Sequence, residues 1–281
     1  MRARPRSSMS VLTSPDTPAV APEAPLGPTL HTQEPAEPDP VPARHRRIRW
    51  AARLVLFCLI GSAIAFAANV ATDPSIGGAP AVVMAIDRAH GTSAVMIAPS
   101  DRIAQALVAS EDATFSSNSG VDGVALVRAF YGFLTGQDLG GSTIEMQLAH
   151  VLYPAVTDGF WGRVRRVSLA LEFDTHYTKA AILSMYLSAV YFGHGYYGIQ
   201  AASRGYFGVA PDQLTWAQAA LLAGVVQAPT ALDPLRHLAA STARMTYVLE
   251  RLVGDGGLTA TQAAHWEASP LGLVSSSPAL S

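Results

Sequence analysis

The sequence predicts a mainly α-helical domain carried on a single N-terminal transmembrane helix. Three observations lead there. The run from Trp50 to Val70 (WAARLVLFCLIGSAIAFAANV) holds one charge, Arg53. Beyond residue 100, apolar side chains recur at three- and four-residue spacing in successive segments, most opened by a capping residue. The chain is 49% hydrophobic and 14% charged, which is apolar for a soluble protein.

Residues 1–43 hold ten of the 19 prolines, with Ala, Ser, Thr and Glu between them. They offer too little apolar surface to offset the entropy of ordering, so a disordered tail is expected. Residues 44–72 then form a basic flank and the span. Arg44, Arg46, Arg47 and Arg49 precede an apolar run long enough, at roughly 20 residues, to cross a bilayer core. Arg53 can snorkel to the interface. A cleaved signal peptide would start nearer the N-terminus and be shorter. A buried core helix seldom follows a basic cluster and a disordered tail. The arginines put the tail in the cytoplasm and everything after Val70 outside.

Residues 73–268 are expected to form one domain. Pro80–Ile86 and Ser93–Ile97, separated by Asp87–Gly91, read as a short β-hairpin. Helices follow. Ser100 caps one carrying Ile103, Ala106, Leu107 and Ser110. Asp122 caps another with Val124, Val127, Tyr131 and Leu134 on one face. Ser142 caps a third with Ile144, Leu148, Val151 and Leu152 inward. A longer helix covers about Arg163–Thr175, and Thr178 caps one carrying Ile182, Met185, Tyr186 and Ala189. Thr215 starts a very apolar one through Val225, and a last one covers about His237–Leu252. The stretch after Trp266 reads as frayed, with 269–281 disordered. No segment repeats. The net charge of −2 gives no field that would favour nucleic acid. The lone Cys58 excludes a disulfide within the chain and a cysteine metal site. No H-E-x-x-H or G-x-S-x-G is present, so no protein-built metal site or serine nucleophile elbow is assigned.

Four stretches carry candidate chemistry, each with a bland alternative. Glu111-Asp112 stands where a helix gives way to a loop. A shielded carboxylate there could act as a general base; otherwise the two are solvated acids, at a helix end that disfavours negative charge. Gly140-Gly141-Ser142-Thr143 leads a helix whose free N–H groups could hold a phosphate. Ser142-x-x-Glu145 also fits a capping box that would occupy those donors. Arg163, Arg165 and Arg166 cluster at a helix start, where the dipole gives them no structural motive; a polyanion, anionic lipid or plain solvation remains open. Tyr191–Gly198 is rich in glycine and aromatics. It could stack sugar rings, but core filling around glycine turns is the favoured reading.

Taken together these residues resemble the peptidoglycan glycosyltransferase domain of family 51, found in class A penicillin-binding proteins and monofunctional transglycosylases. The likeness covers about residues 95–252. It runs from Glu111-Asp112-x-x-Phe115 through Gly120 and Asp122, then Gly140-Gly141-Ser142-Thr143-Ile144-x-x-Gln147-Leu148. It continues in Thr178-Lys179-x-x-Ile182-Leu183-x-x-Tyr186-Leu187 with Tyr191-Phe192-Gly193. Gly198–Ala202, Tyr206-Phe207-Gly208 and Leu222–Pro229 up to Asp233-Pro234 complete it. The resemblance implies a lysozyme-like α fold facing the cell wall, with lipid II and the growing glycan strand as substrates. It implies Glu111 as the catalytic base. Asp112, Phe115, Asn118, Gly141, Ser142, Thr143, Gln147, His150, Arg163, Arg165, Arg166 and Lys179 are the implied substrate-binding residues. No cofactor is required by the sequence, though a divalent ion, Mg2+ or Mn2+, could ride on the pyrophosphate. The membrane and other wall-synthesis proteins are the expected partners. No transpeptidase domain is expected, since S-x-x-K is absent.

The chain also departs from the family. The third motif, R-K-x-x-E, carries a second catalytic Glu. Counting back without gaps from Lys179 places that Glu on Arg166, in Gly162-Arg163-Val164-Arg165-Arg166. Arg163 stands in for the basic residue; the acid has no counterpart, and Glu172 and Asp174 match other family positions. The first motif's His is Asn118 or Ser119, the second motif's Lys is His150, and Glu145 replaces a small polar residue. Three explanations compete: a weak polymerase using Glu111 alone, a carboxylate role taken over by Glu145, or a non-catalytic binding or scaffold paralogue. A lysozyme-like hydrolase is the least favoured reading.

Overall fold

The computed structural model describes residues 43–72, 74–123 and 141–274. The proline-rich tail up to residue 42, the expected helix through Val124, Val127, Tyr131 and Leu134, Gly140 and the last residues from 275 lie outside them. The chain divides into two compact units, one up to Leu54 and one from Val55 onward.

Helix α1 (Ala43–Val70) contains a 23-residue stretch, Arg46–Ala68, of mean hydropathy 2.1 and with none of its most apolar window buried. Its large side chains are exposed, Leu54, Phe57 and Ile64 among them. Length and apolarity suffice to cross a bilayer, and the exposure on all sides is what a lipid-facing helix requires.

The expected hairpin does not form, and no strand occurs among the described residues. Pro80 stands at the start of α2 (Ala79–His90), where its missing N–H costs nothing. Ala79, Val83 and Asp87 are buried and Ile86 half-buried, a period of three to four residues that the Val-Val pair disguises. Gly91 ends the helix in the left-handed region at φ 65. The second supposed strand is an extended segment lying against α7 (Lys179–Ala189). Its N–H groups bond to side chains: Val95 N to Ser188 Oγ at 3.1 Å and Ile97 N to Ser184 Oγ at 2.9 Å. Two helix serines do the work of a partner strand.

The other helices are α3 (Arg102–Glu111), α4 (Ile144–Leu152), α5 (Pro154–Thr157), α6 (Gly159–His176), α8 (Gly198–Phe207), α9 (Trp216–Val225), α10 (Leu238–Gly254) and α11 (Ala260–Glu267). Thr178 caps α7 and Thr215 caps α9 as expected; Thr215 forms a full box with Gln218. Two caps shift by one residue: α3 begins after Asp101 and α4 after Thr143. Helix α9 is buried from Ala217 to Val225 and packs against α3 and α10. Each of its leucines contributes about 1.5–3 kcal/mol by leaving water. Helix α4 packs against α6 and α7, and α8 against α7. Past Trp266 the chain does not fray at once: Leu271 and Leu273 pack on the core, Gln218 donates to Leu271 O at 3.0 Å, and Val274 N donates to Tyr206 O at 2.8 Å.

Ser184→Ala leaves the buried Ile97 N–H without an acceptor, so urea unfolding should report a loss of about 1–3 kcal/mol. No measurable loss would mean that the segment is held by apolar packing alone.

Candidate active site

Glu111 is the last residue of α3; side chains from α4 and α10 reach its carboxylate, and one from α7 backs them. Gln147 on α4 donates its Nε2 to Oε2 at 3.1 Å. Arg244 on α10 approaches Oε1 at 3.4 Å. Tyr186 on α7 donates its hydroxyl to Gln147 Oε1 at 2.6 Å. That bond sets the amide so that its nitrogen faces Glu111. Burial, and then the nearby Glu111 charge, push the Tyr186 phenol above its ordinary value, so it stays a donor. The Glu111 side chain is 13% exposed. It is a shielded carboxylate with limited access, not a solvated acid.

Asp112 is buried and holds the following loop. Its Oδ1 accepts from Thr114 Oγ1 at 2.9 Å, and its Oδ2 from Asn118 Nδ2 at 3.0 Å and Ile144 N at 3.3 Å. The loop runs close to α6. A Cβ on Gly120 would lie 2.3 Å from Ala170 O, and its φ of 83 already favours glycine. Thr143 is buried, donates to Gly120 O at 2.7 Å and accepts from Met146 N at 3.3 Å. Ile144 N and Met146 N at the start of α4 are therefore occupied by Asp112 and Thr143, not free for a phosphate. The Ser142–Glu145 capping box is not formed, because the helix begins one residue later than its sequence pattern implies. Ser142 is exposed, and Gly141 ahead of it sits at φ 138.

Glu145 is 0% exposed and turned inward, onto Lys179 at 2.7 Å. Lys179, the chain's sole lysine, also meets Asp174 Oδ1 at 2.7 Å and Asn118 Oδ1 at 2.9 Å, and lies 4.7 Å from the centre of the buried Phe115 ring. Burial raises the Glu145 carboxyl above its usual value, with Lys179 opposing. Burial alone would lower the Lys179 ammonium; the bonds to Asp174 and Glu145 outweigh it and raise it. Phe115, Asn118 and Lys179, expected at substrate, are thus joined in one partly buried network. Glu145 is sequestered there instead of facing the cleft.

The remaining sequence-derived residues lie on α4 and α6. His150 places Nδ1 3.0 Å from Thr157 Oγ1 and 3.8 Å from Asp158 Oδ1. Arg163 is exposed, and Arg165 donates to Thr72 Oγ1 at 2.5 Å. Arg166 is half-buried, and its Nε has no hydrogen-bond partner among the described residues. Burial lowers its pKa, the neighbouring Arg163 adds to this, and Asp158 works against it. No contact brings Arg166 to Glu111 among the described residues. Arg244 was not anticipated. It flanks the buried face of α10 (Ser241, Met245, Val248), so its only sequence signal is an arginine next to an apolar stripe. No three His, Cys, Asp or Glu side chains among the described residues converge to hold a metal.

A model of the transglycosylase family matches residues 82–253. Penicillin-binding protein 2a of Streptococcus pneumoniae is 36% identical over 179 residues, covering 63% of this chain and 24% of that protein. Penicillin-binding protein 1F of Bacillus subtilis is 34% identical over 174 residues, covering 61% and 24%. Penicillin-binding protein 1A of Mycobacterium tuberculosis is 37% identical over 162 residues, covering 56% and 20%. The matched segment spans a quarter or less of each of these relatives.

Lys179→Met strands the buried Glu145, so chemical unfolding should show about 3–5 kcal/mol of lost stability. Adding Glu145→Thr should restore part of it. The raised Glu145 pKa also has a signed consequence. The native chain keeps this proton above pH 4.5, where the unfolded chain loses it. This group's contribution to stability is therefore full below that pH and falls as pH rises through the raised value. In Glu145→Gln, unfolding followed from pH 4.5 to neutrality should vary less with pH than in the parent.

Proposed function

The chain belongs to the transglycosylase family, and on that premise we propose that it is a membrane-anchored peptidoglycan glycosyltransferase that elongates glycan strands from lipid II. The observation that carries this reading is the Glu111 carboxylate, shielded and oriented by Gln147 and Arg244 at the head of the family's first motif. In the reaction, Glu111 takes the proton of the acceptor's 4-hydroxyl. The freed oxygen attacks the donor's anomeric carbon and inverts it, and the bond to the lipid pyrophosphate breaks with the electron pair leaving on oxygen. Arg163, Arg166 and His150 are the groups that would steady the leaving pyrophosphate. A divalent ion such as Mg2+ or Mn2+ would arrive bound to that pyrophosphate, as part of the substrate. The arginine flank of α1 supports a cytoplasmic N-terminus with the domain outside, where wall-synthesis proteins would be its partners.

Without a second carboxylate at position 166, a rate orders of magnitude below that of a two-carboxylate enzyme is expected. One observation favours a second reading, a non-catalytic lipid II-binding or scaffold protein. Among the described residues Arg166 Nε has no partner, at the position where the family has its acid, and Glu145, the obvious substitute, is locked onto Lys179.

Purified protein given labelled lipid II decides between them. Polymer that falls by about 100-fold or more in Glu111→Gln supports catalysis. Lipid II binding with no polymer supports the second reading, and polymer made equally well by Glu111→Gln overturns the role of that carboxylate.

A further inference from the structure

The loop joining α7 to α8 and the turn before α10 enclose a cleft that shares no residue with the Glu111 site. Tyr191, His194, Gly195, Thr230, Asp233 and Arg236 line about 160 Å3. Asp233 is buried and fully engaged: Oδ1 accepts from Leu235 N at 3.0 Å, and Oδ2 lies 3.0 Å from His194 Nδ1 and 3.7 Å from Arg236 Nε. With Nδ1 committed to a carboxylate, His194 keeps Nε2 for another partner. Its backbone sits at φ 50, between Gly193 at φ 83 and Gly195 at φ 79. A histidine is kept where a third glycine would be unstrained, and such strain collects at functional positions.

The lining is chemically mixed but charge-balanced. Asp233 and Arg236 cancel, so the cleft has no surplus charge for an anion or a cation. It offers donors at the guanidinium of Arg236, whose side chain is 69% exposed, and at the hydroxyls of Thr230 and Tyr191, with Thr230 and His194 Nε2 available to accept. One wall is the Tyr191 ring. It is backed by Tyr197, 4.7 Å away, which stacks on the exposed His90 at 3.6 Å and 10°. A flat aromatic face beside two-way hydrogen-bonding groups suits a ligand with an apolar face and a rim of hydroxyls. A tie between two loops requires only the His194–Asp233 bond; it does not require Thr230, Tyr191 and Arg236 around an open cleft.

We propose that this cleft is a second saccharide-binding site, taking one uncharged pyranose. That the pyranose belongs to a glycan strand rests on the polymerase reading; the cleft's own chemistry requires only the sugar. A strand held there would be retained by the protein away from Glu111.

The test titrates chitotetraose into the full chain in detergent micelles, by calorimetry and saturation-transfer NMR, in a Glu111→Gln background that removes the proposed base, with substitutions in the second cleft assigning the site. Binding should persist in that background. It should weaken by about 10-fold or more, equivalent to about 1.4 kcal/mol, on adding Arg236→Ala or His194→Gly. The second substitution relieves the positive φ, so the fold should survive it, as thermal unfolding would verify. No binding, binding indifferent to both variants, or displacement of the sugar by inorganic phosphate would overturn the proposal. A failure of lipid II polymerisation would leave the titration untouched, so the two readings fail separately.

Discussion

The constraint on which the rest depends is a half-buried ammonium set against a fully buried carboxylate. Lys179 has to be matched on every side, and the chain matches it from three elements: Glu145 on α4, Asp174 on α6 and Asn118 in the loop after Glu111. An unpaired charge in that position would cost several kcal/mol. Asn118 in turn holds Asp112, and Asp112 holds the first N–H of α4. The loop that begins at Glu111 is therefore pinned, and the Glu111 carboxylate inherits its position in part from a network it does not touch.

The same network accounts for one of the chain's departures from its family. Read along the sequence, an acid at position 145 invites the idea that a missing carboxylate has been moved there. In the fold its role is set by where α4 begins. With Thr143 as the cap, Glu145 is the second helical residue and not the third that a capping box needs, and its buried carboxylate meets Lys179 instead. Arg166 is the opposite case. Its Nε has no hydrogen-bond partner among the described residues, and burial together with Arg163 works against its charge while Asp158 supports it. One departure is compensated by a partner inside the protein, while the other leaves an Nε with no partner among the described residues.

Glu111 shows how little of a site belongs to one segment. Its carboxylate sits at the junction of the α3–α9–α10 group and the α4–α6–α7 group. Each group supplies one donor: Arg244 from the first, Gln147 from the second. Tyr186 adds a second tier, fixing which end of the Gln147 amide faces the acid. A carboxylate held this way is oriented by the protein's own side chains.

What the sequence determined was whatever depends on neighbours along the chain. The membrane helix, the run of helices after residue 100, the caps at Thr178 and Thr215 and the likeness of the motif residues are all properties of local pattern, and hydrophobic period and cap chemistry act over one or two turns. Even local pattern misled at Pro80–Ile86, where β-branched residues in a row outweighed a three-to-four period, and at Ser142, where a capping box was available one residue too early. What only the tertiary structure decided was the partnering of polar groups remote in sequence. Arg244 reaches Glu111 across 133 positions and Glu145 finds Lys179 across 34. Such pairings are chosen by which surfaces the packing of α4, α7, α9 and α10 brings together. No spacing rule along a single helix encodes them, because the energy that selects them, the avoidance of an unpaired buried charge, exists only once water has been excluded.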